Sequence, residues 1–440
     1  MCKRLIFSFL LFLFLRVSFA QDVSSFIVVE ETSTDLYIAK NWEALANYGN
    51  KAIDNGYDYF YLRLRLGIAY YEQKKYMKAV KHFEKAVKFN SSDKLALEYL
   101  YYSYIFSARE SEARALISMF PIRLKYLIKP QKNKFFECFS FEGGLATSNQ
   151  NRIFKNVDIN GPLNIYGEAS INNGMSYWQA GFAHQLGNKF SVFHSYSDIK
   201  INFIRKINAN NKDTLDNYKL NQHDYYISCV NQFKHFSISP ALHLISLNFG
   251  KLNANYNLSD NKYIFNKKDT SFINFASSVS VIKNIGKYCH NLSFGFSQLN
   301  GFVQFQTAFA TTFYPFGKTN LYATSSIIHL NEDYTNRIII MQKIGFKIMP
   351  KLWAEFALTY GNMKNYCENN AFVVFNTEDK ILSKYGFSIN APLFKHLEFS
   401  LRYTYFNREN SYYRASNFDL EEVKINYKTQ ILLGGIKWKL

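Results

Sequence analysis

The stretch LEFSLRYTY, residues Leu397–Tyr405, alternates apolar or aromatic residues at its odd-numbered positions with polar residues at its even-numbered positions. A second stretch, LWAEFALTY at Leu352–Tyr360, carries apolar or aromatic residues at all of its even-numbered positions. Alternation with a period of two is the pattern of a β-strand that has one apolar face. A soluble β-sandwich has strands of the same kind, so the connections between strands decide between a sandwich and a membrane barrel.

The predicted connections alternate between short and long over residues 135–440. The short ones lie near Gly187-Asn188, Lys234-His235, Gly286-Lys287, Phe316-Gly317-Lys318, Met349-Pro350-Lys351 and Phe394-Lys395. The longer, polar ones cover residues 149–173, 206–221, 255–270, 362–380 and 407–422, with two shorter ones at 299–301 and 331–334. Short turns on one side and longer loops on the other are typical of outer-membrane β-barrels. The sequence therefore predicts an α+β multidomain chain that ends in an antiparallel transmembrane β-barrel of about 14 strands, within a range of roughly 12 to 16. Both ends of the barrel would lie on the short-turn, periplasmic side.

Three further features favour the barrel. Aromatic residues make up 18% of the chain, as girdles of Phe and Tyr at the two membrane interfaces require. Many predicted strands reach about ten residues, the length that a tilted strand needs to cross a bilayer. The last strand, 423–440, keeps Leu432, Ile436, Trp438 and Leu440 on one face. It resembles the C-terminal signal that the bacterial barrel-assembly machinery reads, although that signal usually ends in Phe.

The composition limits the classes of function. A chain of 440 residues has room for two or three domains, and a mean hydropathy of −0.21 is too polar for a helical membrane protein. The formal net charge of +18 is compatible with nucleic acid, anionic lipid or an acidic polymer as a partner, and export disfavours nucleic acid. We predict that four lysines, Lys343, Lys347, Lys437 and Lys439, face the lumen and favour anions. The alternative is that these charges decorate the rims and loops of the barrel.

The first residues have the features of a secretory signal peptide. Lys3 and Arg4 precede the apolar run Leu5–Leu15, and Ser18-Phe19-Ala20 has the small residues of a cleavage site. We therefore predict a signal peptide over residues 1–20 and a flexible segment over residues 21–34. A basic linker over residues 121–134 would join the helical region to the barrel.

Residues 35–120 are predicted to be helical and repetitive. Tyr76, Ala79, Phe83 and Ala86 form an apolar stripe with helical spacing. The same spacing recurs one repeat earlier at Trp42, Leu45, Gly49 and Ala52, and more weakly one repeat later at Glu110, Ala113, Ile117 and Phe120. The repeat length of about 34 residues is that of the tetratricopeptide repeat.

The best copy, residues 60–93, resembles a tetratricopeptide repeat at the level of single residues. The signature positions of that family hold Leu66, Gly67, Tyr70, Ala79, Phe83 and Ala86, whereas Arg63 replaces the usual Trp and Ser91 the usual Pro. The resemblance implies a short helical solenoid that binds a peptide or a protein in the periplasm. We predict that Lys74, Lys78, Lys81 and Lys85 form a basic face that contacts an acidic partner. The alternative is a merely solvated face.

No catalytic signature is present in the sequence, since HExxH, GxSxG, Walker and GxGxxG motifs are all absent. The candidate histidines His194, His223, His243 and His329 fall on different predicted strands without matched carboxylates. The cysteines Cys138, Cys229, Cys289 and Cys367 show no CxxC spacing. We therefore predict no catalytic residue, no cofactor and no metal site.

One of the long loops is less polar than the others. It contains the apolar run AFVVF at residues 371–375. Three arrangements stay open for this run: a plug folded into the barrel mouth, a segment packed on the rim, or a hairpin that stands outside the membrane.

The order of signal peptide, short helical repeats, basic linker and barrel resembles the tetratricopeptide-containing outer-membrane barrel proteins of the Bacteroidota, including the YaiO-like group. The resemblance implies a non-enzymatic outer-membrane protein that acts as a channel, an export porin or an assembly platform. Its expected partners are outer-membrane lipid, a periplasmic protein bound by the repeats, and an anionic polymer. Two alternatives stay open: a barrel enzyme that acts on lipid or envelope polymer, and a structural envelope anchor.

Overall fold

The computed structural model describes residues 25–130, 134–148, 154, 159, 166–210, 212–377, 379–416 and 419–440. The predicted signal peptide lies outside the described residues. The chain divides into two compact units, Met1–Ser103 and Tyr104–Leu440.

Seven α-helices precede the strands in the described part of the chain. They are α1 (Phe26–Ile38), α2 (Trp42–Asp54), α3 (Phe60–Glu72), α4 (Tyr76–Phe89), α5 (Lys94–Phe106), α6 (Glu110–Leu116) and α7 (Ile122–Ile128). Ser25 caps the start of α1, because its hydroxyl accepts a hydrogen bond from the Val28 amide at 3.3 Å. Residues 26–34 are thus helical where the sequence predicted a flexible segment, and α7 lies within the predicted linker. None of the described helices is long and apolar enough to cross a membrane.

Two glycines let α2, α3 and α4 pack closely. A Cβ atom on Gly67 would lie 2.4 Å from the ring of Phe83, and one on Gly49 would lie 2.8 Å from the side chain of Leu66. Phe83 and Leu66 are fully buried. The tetratricopeptide signature positions are core positions, since Leu66, Gly67, Tyr70, Ala79, Phe83 and Ala86 are all buried.

A buried polar group replaces the tryptophan that a tetratricopeptide repeat usually carries. Arg63 is 6% exposed and binds both carboxylate oxygens of Asp58, at 2.6 and 2.7 Å. Its Nη1 lies 3.3 Å from Nδ1 of the buried His82, whose ring stacks on Tyr70. Burial, followed by the charge of Arg63, lowers the pKa of His82 to about 3. His82 is therefore neutral at physiological pH.

Fourteen antiparallel strands of the described residues close into a barrel. They are β1 (Phe136–Ser148), β2 (Tyr166–Leu186), β3 (Phe190–Ala209), β4 (Lys212–Gln232), β5 (Ser237–Asn257), β6 (Lys262–Ile285), β7 (Tyr288–Leu299), β8 (Phe302–Phe313), β9 (Leu321–Glu332), β10 (Thr335–Met349), β11 (Leu352–Tyr360), β14 (Lys380–Pro392), β15 (Leu397–Ser416) and β16 (Asp419–Lys439). Two further strands, β12 (Tyr366–Glu368) and β13 (Val373–Phe375), form a separate hairpin. Strand β1 pairs with both β2 and β16, which closes the barrel. The prediction of about 14 strands is confirmed.

The prediction of long loops is wrong for three segments, because strands continue into them: residues 206–221, 255–270 and 407–422. Strand β3 continues to Ala209 and β4 begins at Lys212, while β5 continues to Asn257 and β6 begins at Lys262. Strands β2 to β6, β15 and β16 consequently reach 20 to 24 residues. A tilted strand crosses a bilayer with about 9–11 residues. About half of each long strand therefore stands beyond the membrane, on the side opposite the short turns.

The polarity of these outer halves explains the error. Outward-facing positions on β3 change from Tyr196 to Asp198 and Lys200, and those on β5 change from Leu244 to Ser246. Beyond these points the outward face is polar, so the alternation that marks a membrane strand fades. Cross-strand pairing nevertheless continues, as the register from Lys200 with Asn221 to Ala209 with Lys212 shows.

An apolar band covers the outside of the barrel. Ile338 and Ile340 are 52% and 47% exposed, whereas Ile339 between them is 0% exposed and faces the lumen. Other exposed apolar side chains continue the band around the barrel, among them Phe294, Phe305, Phe356, Leu401 and Leu432. An exterior of this kind suits lipid rather than water. Together with barrel closure, it supports an outer-membrane location.

Candidate pore and its plug

The segment that joins β11 to β14 folds into the lumen. We call residues 361–377 the plug segment. Its hairpin pairs Tyr366 with Phe375 and Cys367 with Val374. Met363 and Tyr366 pack in a cluster with wall residues Ile328, Leu330, Ile339, Ile381 and Phe406. Cys367 and Ala371 pack in another with Ile245, Leu247, Ala276 and Leu299. Of the three arrangements left open for residues 371–375, the structure has the plug.

Polar side chains of the wall bind the backbone of the hairpin. The Gln306 side chain donates to the Cys367 carbonyl oxygen at 2.7 Å and accepts from the Cys367 amide at 3.2 Å. Asn365 donates to the Glu332 carboxylate at 3.0 Å, and Glu368 forms an ion pair with Lys384. These contacts satisfy groups that would otherwise be buried without partners.

The tip of the plug segment reaches the far wall. Asn370 donates to the Ser239 carbonyl oxygen at 3.1 Å and accepts from the Ser280 hydroxyl at 2.8 Å. Nδ1 of His243 lies 2.8 Å from the Ala371 carbonyl oxygen. The Tyr226 hydroxyl donates a hydrogen bond to the Asn370 carbonyl oxygen at 3.2 Å. These residues belong to β4, β5 and β6, which lie across the barrel from β11 and β14 in the strand order. The plug segment therefore crosses the lumen.

Open space remains beside the plug segment. A cavity of about 440 Å³, which we call the aromatic cavity, lies among β2 to β6 and the end of the plug segment. The rings of Phe203, Tyr218, Phe249 and Phe272 lie on its wall, and Asn274, Asn376, Asp379, Arg408 and Asn410 are also in contact with it. A smaller cavity of about 110 Å³ is bordered by small polar side chains, including Ser280, Ser293, Ser297 and Ser326. The described lumen is thus closed by a segment but incompletely filled.

The four lysines predicted for the lumen lie near the short-turn ends of β10 and β16. Nζ of Lys343 lies 3.4 Å from the Glu355 carboxylate, and that of Lys439 lies 3.7 Å from the Glu398 carboxylate. Lys347 lies over the ring of Trp353, 4.7 Å from its centroid. Lys437 is exposed and pairs in register with Ser140 and Glu398.

Sequence reasoning missed the lumenal arginines and their carboxylate partners. Arg402 lies 3.4 Å from Glu142, and Arg337 lies 2.8 Å from Glu332. Each pair joins residues of two different strands, so its proximity depends on strand pairing and register. Arg402 and Glu142 each fall on the polar face of an alternating strand, which was a usable signal, whereas Glu332 shares its face of β9 with the buried Ile328 and Leu330.

The four candidate histidines do not converge. His243 contacts the plug segment and lies 3.5 Å from Asp224. His223 lies 3.3 Å from Asp198, while His194 contacts His184 at 3.0 Å. His329 lies 3.1 Å from Asn336.

The basic face predicted on the repeats is exposed. Lys81 and Lys85 lie on the side of α4 opposite its buried residues, and Lys74 lies in the preceding turn. Lys78 lies over the ring of Tyr70, 5.3 Å from its centroid.

Helix α6 lies against the short-turn end of the barrel. The Asn284 side chain on β6 donates to the Glu112 carboxylate at 3.1 Å. Arg114 forms an ion pair with Glu137 beside the start of β1, at 3.0 Å. Since Asn284 lies on the lumen-facing side of β6, α6 covers part of the short-turn opening.

Comparisons with known proteins give a family model for the repeat and solved structures similar to the barrel. The family model of the tetratricopeptide repeat matches residues 61–93, which confirms the repeat predicted there. A FadL homologue from Pseudomonas aeruginosa is 10% identical, with 77% of this chain and 94% of that chain covered and a TM-score of 0.42. The TodX deltaS2S3 mutant, a monoaromatic hydrocarbon channel, is 6% identical, with 70% and 91% covered and a TM-score of 0.46. The toluene transporter TbuX from Ralstonia pickettii is 8% identical, with 70% and 90% covered and a TM-score of 0.34. No curated protein matches the sequence at a significant level.

At these identities and TM-scores, the similarities carry no conclusion about function. The chain is a 14-stranded barrel of the outer-membrane type that carries a tetratricopeptide repeat.

Proposed function

We propose that this protein is an outer-membrane channel whose lumen is closed by the plug segment and opens when that segment leaves. The observation that carries the proposal is the way the segment is held. Its contacts with the wall include many hydrogen bonds to polar side chains, and cavities remain beside it. A purely structural anchor would be expected to fill its lumen as densely as a protein core.

The pairing of β11 with β14 allows the plug segment to move without opening the barrel. Tyr360 pairs with Ser383, so β11 and β14 stay joined whatever the segment between them does. Each hydrogen bond contributes about 0.5–1.5 kcal/mol, and several must break together. The closed state is therefore the resting state, and opening needs a ligand, a partner or a voltage.

The lumenal lysines are proposed to give the open channel a preference for anions. Glu355 and Glu398 offset two of the four charges. Among the described residues, no carboxylate lies within ion-pair distance of Lys347 or Lys437. Two uncompensated cations near one mouth would raise the local anion concentration.

The helical repeats are proposed to lie in the periplasm and to bind a protein partner. Lys74, Lys81 and Lys85 are exposed and Lys78 lies at the same surface, so an acidic segment is the partner that suits this surface. An anionic polymer is the proposed cargo, because it suits the same sign of charge in the lumen.

Conductance in planar bilayers tests the channel. We expect rare openings from the mature chain and steady conductance from a variant in which a short Gly-Ser turn replaces residues 361–377. Deletion of residues 21–130 tests whether the repeats control opening. If the plug-less variant folds, as shown by heat-modifiable migration, and still does not conduct, the channel proposal is wrong.

A further inference from the structure

The aromatic cavity has a continuous wall of rings. Phe203 and Tyr218 stack nearly parallel, with ring centroids 5.0 Å apart. Tyr218 and Phe249 follow at 6.1 Å, and Phe249 and Phe272 at 6.1 Å. The four rings come from β3, β4, β5 and β6, so they cross four neighbouring strands on the lumen side. We call them the ring ladder.

Six amide side chains contribute about half of the polar lining of the cavity. They are Asn172, Asn274, Gln298, Asn300, Asn376 and Asn410. Asn274 is 2% exposed, and its Nδ2 has no hydrogen-bond partner among the described residues. Both amide atoms of Asn376 also lack a partner within the described chain. Unsatisfied polar atoms at a cavity are rare in native proteins and indicate a missing ligand or solvent.

Arg408 adds a third unsatisfied group. Its Nε donates to the Thr429 hydroxyl at 3.0 Å, whereas its Nη1 finds no hydrogen-bond partner in the described structure. Nη1 lies 4.0 Å from the Asp379 carboxylate, so the charge of Arg408 is largely compensated. The cavity therefore offers hydrogen-bond donors and an acceptor, and this pair adds no strong net charge. Lys251, whose Nζ lies 5.8 Å from the centroid of the Phe249 ring, adds one positive charge to the lining.

This combination identifies the chemistry of the ligand. A wholly apolar molecule would leave the amides unpaired, and a small anion would leave the ring ladder unused. A hydroxyl-rich ring presents apolar C–H faces to aromatic rings and hydroxyls that both donate and accept at its edge. We propose that the aromatic cavity binds pyranose units of an oligosaccharide. Sugar faces lie on the ring ladder, and sugar hydroxyls bind Asn274, Asn376 and Arg408.

The inference rests on the proposed channel function and adds a class of cargo to it. The cavity can nevertheless bind a sugar whether or not the protein conducts ions. Such binding also differs from recognition of an anionic polymer by lysines, because the contacts are with uncharged hydroxyls. A volume of about 440 Å³ suits a short stretch of a sugar chain.

Binding of the full mature chain to immobilised oligosaccharides tests the inference. The array carries neutral hexose, amino-sugar and uronic-acid oligomers of graded length and both anomeric linkages. The protein is kept in an amine-oxide detergent, because a maltoside would present a sugar of its own. Titration calorimetry on the best-bound oligomer then gives the affinity.

Two ladder variants, Phe249→Ala and Phe272→Ala, are each expected to weaken binding about tenfold. Phe275→Ala is the matched control. It removes the same ring from the same strand as Phe272, but Phe275 contacts Phe296 on the outer face. Its binding should equal that of the unaltered chain. Heat-modifiable migration confirms folding of all three variants.

Three results would overturn the inference: no oligomer binds the folded chain, both ladder variants bind as well as the control, or only an alkyl carboxylate such as laurate binds. Conductance separates this inference from the channel proposal. Sugar binding without conductance through the plug-less barrel would reject the channel alone. Conductance without sugar binding would reject the sugar site alone.

Discussion

The substitution Gln306→Leu tests whether the plug segment closes the proposed channel. Gln306 makes two hydrogen bonds to the backbone of Cys367, one as donor and one as acceptor, at 2.7 and 3.2 Å. Leucine has nearly the same volume and can make neither bond. In the closed state the Cys367 amide and carbonyl would then be buried without partners, whereas water satisfies them in the open state. At about 1 kcal/mol for each group, the closed state loses about 2 kcal/mol relative to the open state.

That loss corresponds to an open-to-closed ratio raised about thirtyfold. Single-channel recording in planar bilayers measures the ratio as open probability at fixed voltage and salt. Gln342→Leu is the matched control, because Gln342 makes its bond to Ser325 on the exposed outer face of β9 and β10. Equal open probabilities for Gln306→Leu and Gln342→Leu, with a conducting plug-less variant, would refute the proposed role of these two bonds.

Four further predictions concern both units. His82→Gln should remove a pH dependence of the stability of the helical unit. The pKa of His82 is lowered from an ordinary 6.5 to about 3 in the folded chain. Below pH 6.5 the unfolded chain therefore binds a proton that the folded chain does not. Stability therefore falls as pH falls below 6.5, by at most about 1.4 kcal/mol per pH unit, and hydrogen exchange of α3 and α4 amides should show this slope in the natural chain but not in the variant. Gly67→Ala should destabilise the same helices by about 1–3 kcal/mol, since the new methyl meets the Phe83 ring; Gly434→Ala, where nothing lies within 4 Å, should leave exchange unchanged. Replacing Lys343, Lys347, Lys437 and Lys439 with Gln in the plug-less barrel should lower the anion-to-cation permeability ratio in reversal-potential measurements, whereas the outward-facing Lys200→Gln should not. If the repeats bind the proposed acidic partner, replacing Lys81 and Lys85 with Glu should abolish cross-linking of that partner to the repeats. Replacing the same two residues with Arg preserves the charge and should retain the cross-link.

The strands that cross the membrane were predictable because each position there has one of two environments. Lipid outside and polar lumen inside impose the alternation seen at Leu397–Tyr405, and the observed register of β15 keeps it. The tetratricopeptide core was predictable for a similar reason, since Gly67 and Phe83 are sterically coupled across two local helices. Both signals are set by neighbours close in sequence or by a solvent that is uniform along the strand.

The outer halves of the strands and the plug were not predictable in this way. Beyond Lys200 both the loop and the strand hypotheses give polar outward residues, so composition cannot separate them. The position of the plug depends on contacts such as Asn370 with Ser239, which are 131 residues apart. No local pattern in AFVVF records which wall it meets. The burial of Arg63 was likewise not predictable. A charged residue is stable in this core only because Asp58 and His82 contact it, and the sequence pattern does not show those contacts.

The position of Asn376 links sugar binding to opening. Asn376 belongs to the plug segment, whereas the ring ladder belongs to the wall, and both line the aromatic cavity. A ligand shifts an equilibrium only by its differential affinity for the two states. A sugar that binds Asn376 therefore stabilises the closed channel, because that contact is lost when the plug leaves. A sugar held by the ladder alone binds both states alike and can pass. Asn376→Ala should accordingly weaken any block by the bound oligosaccharide while sparing the ladder, so that the same sugar no longer lowers the open probability. An unchanged block in Asn376→Ala would show that the sugar closes the channel by filling the lumen and not by holding the plug.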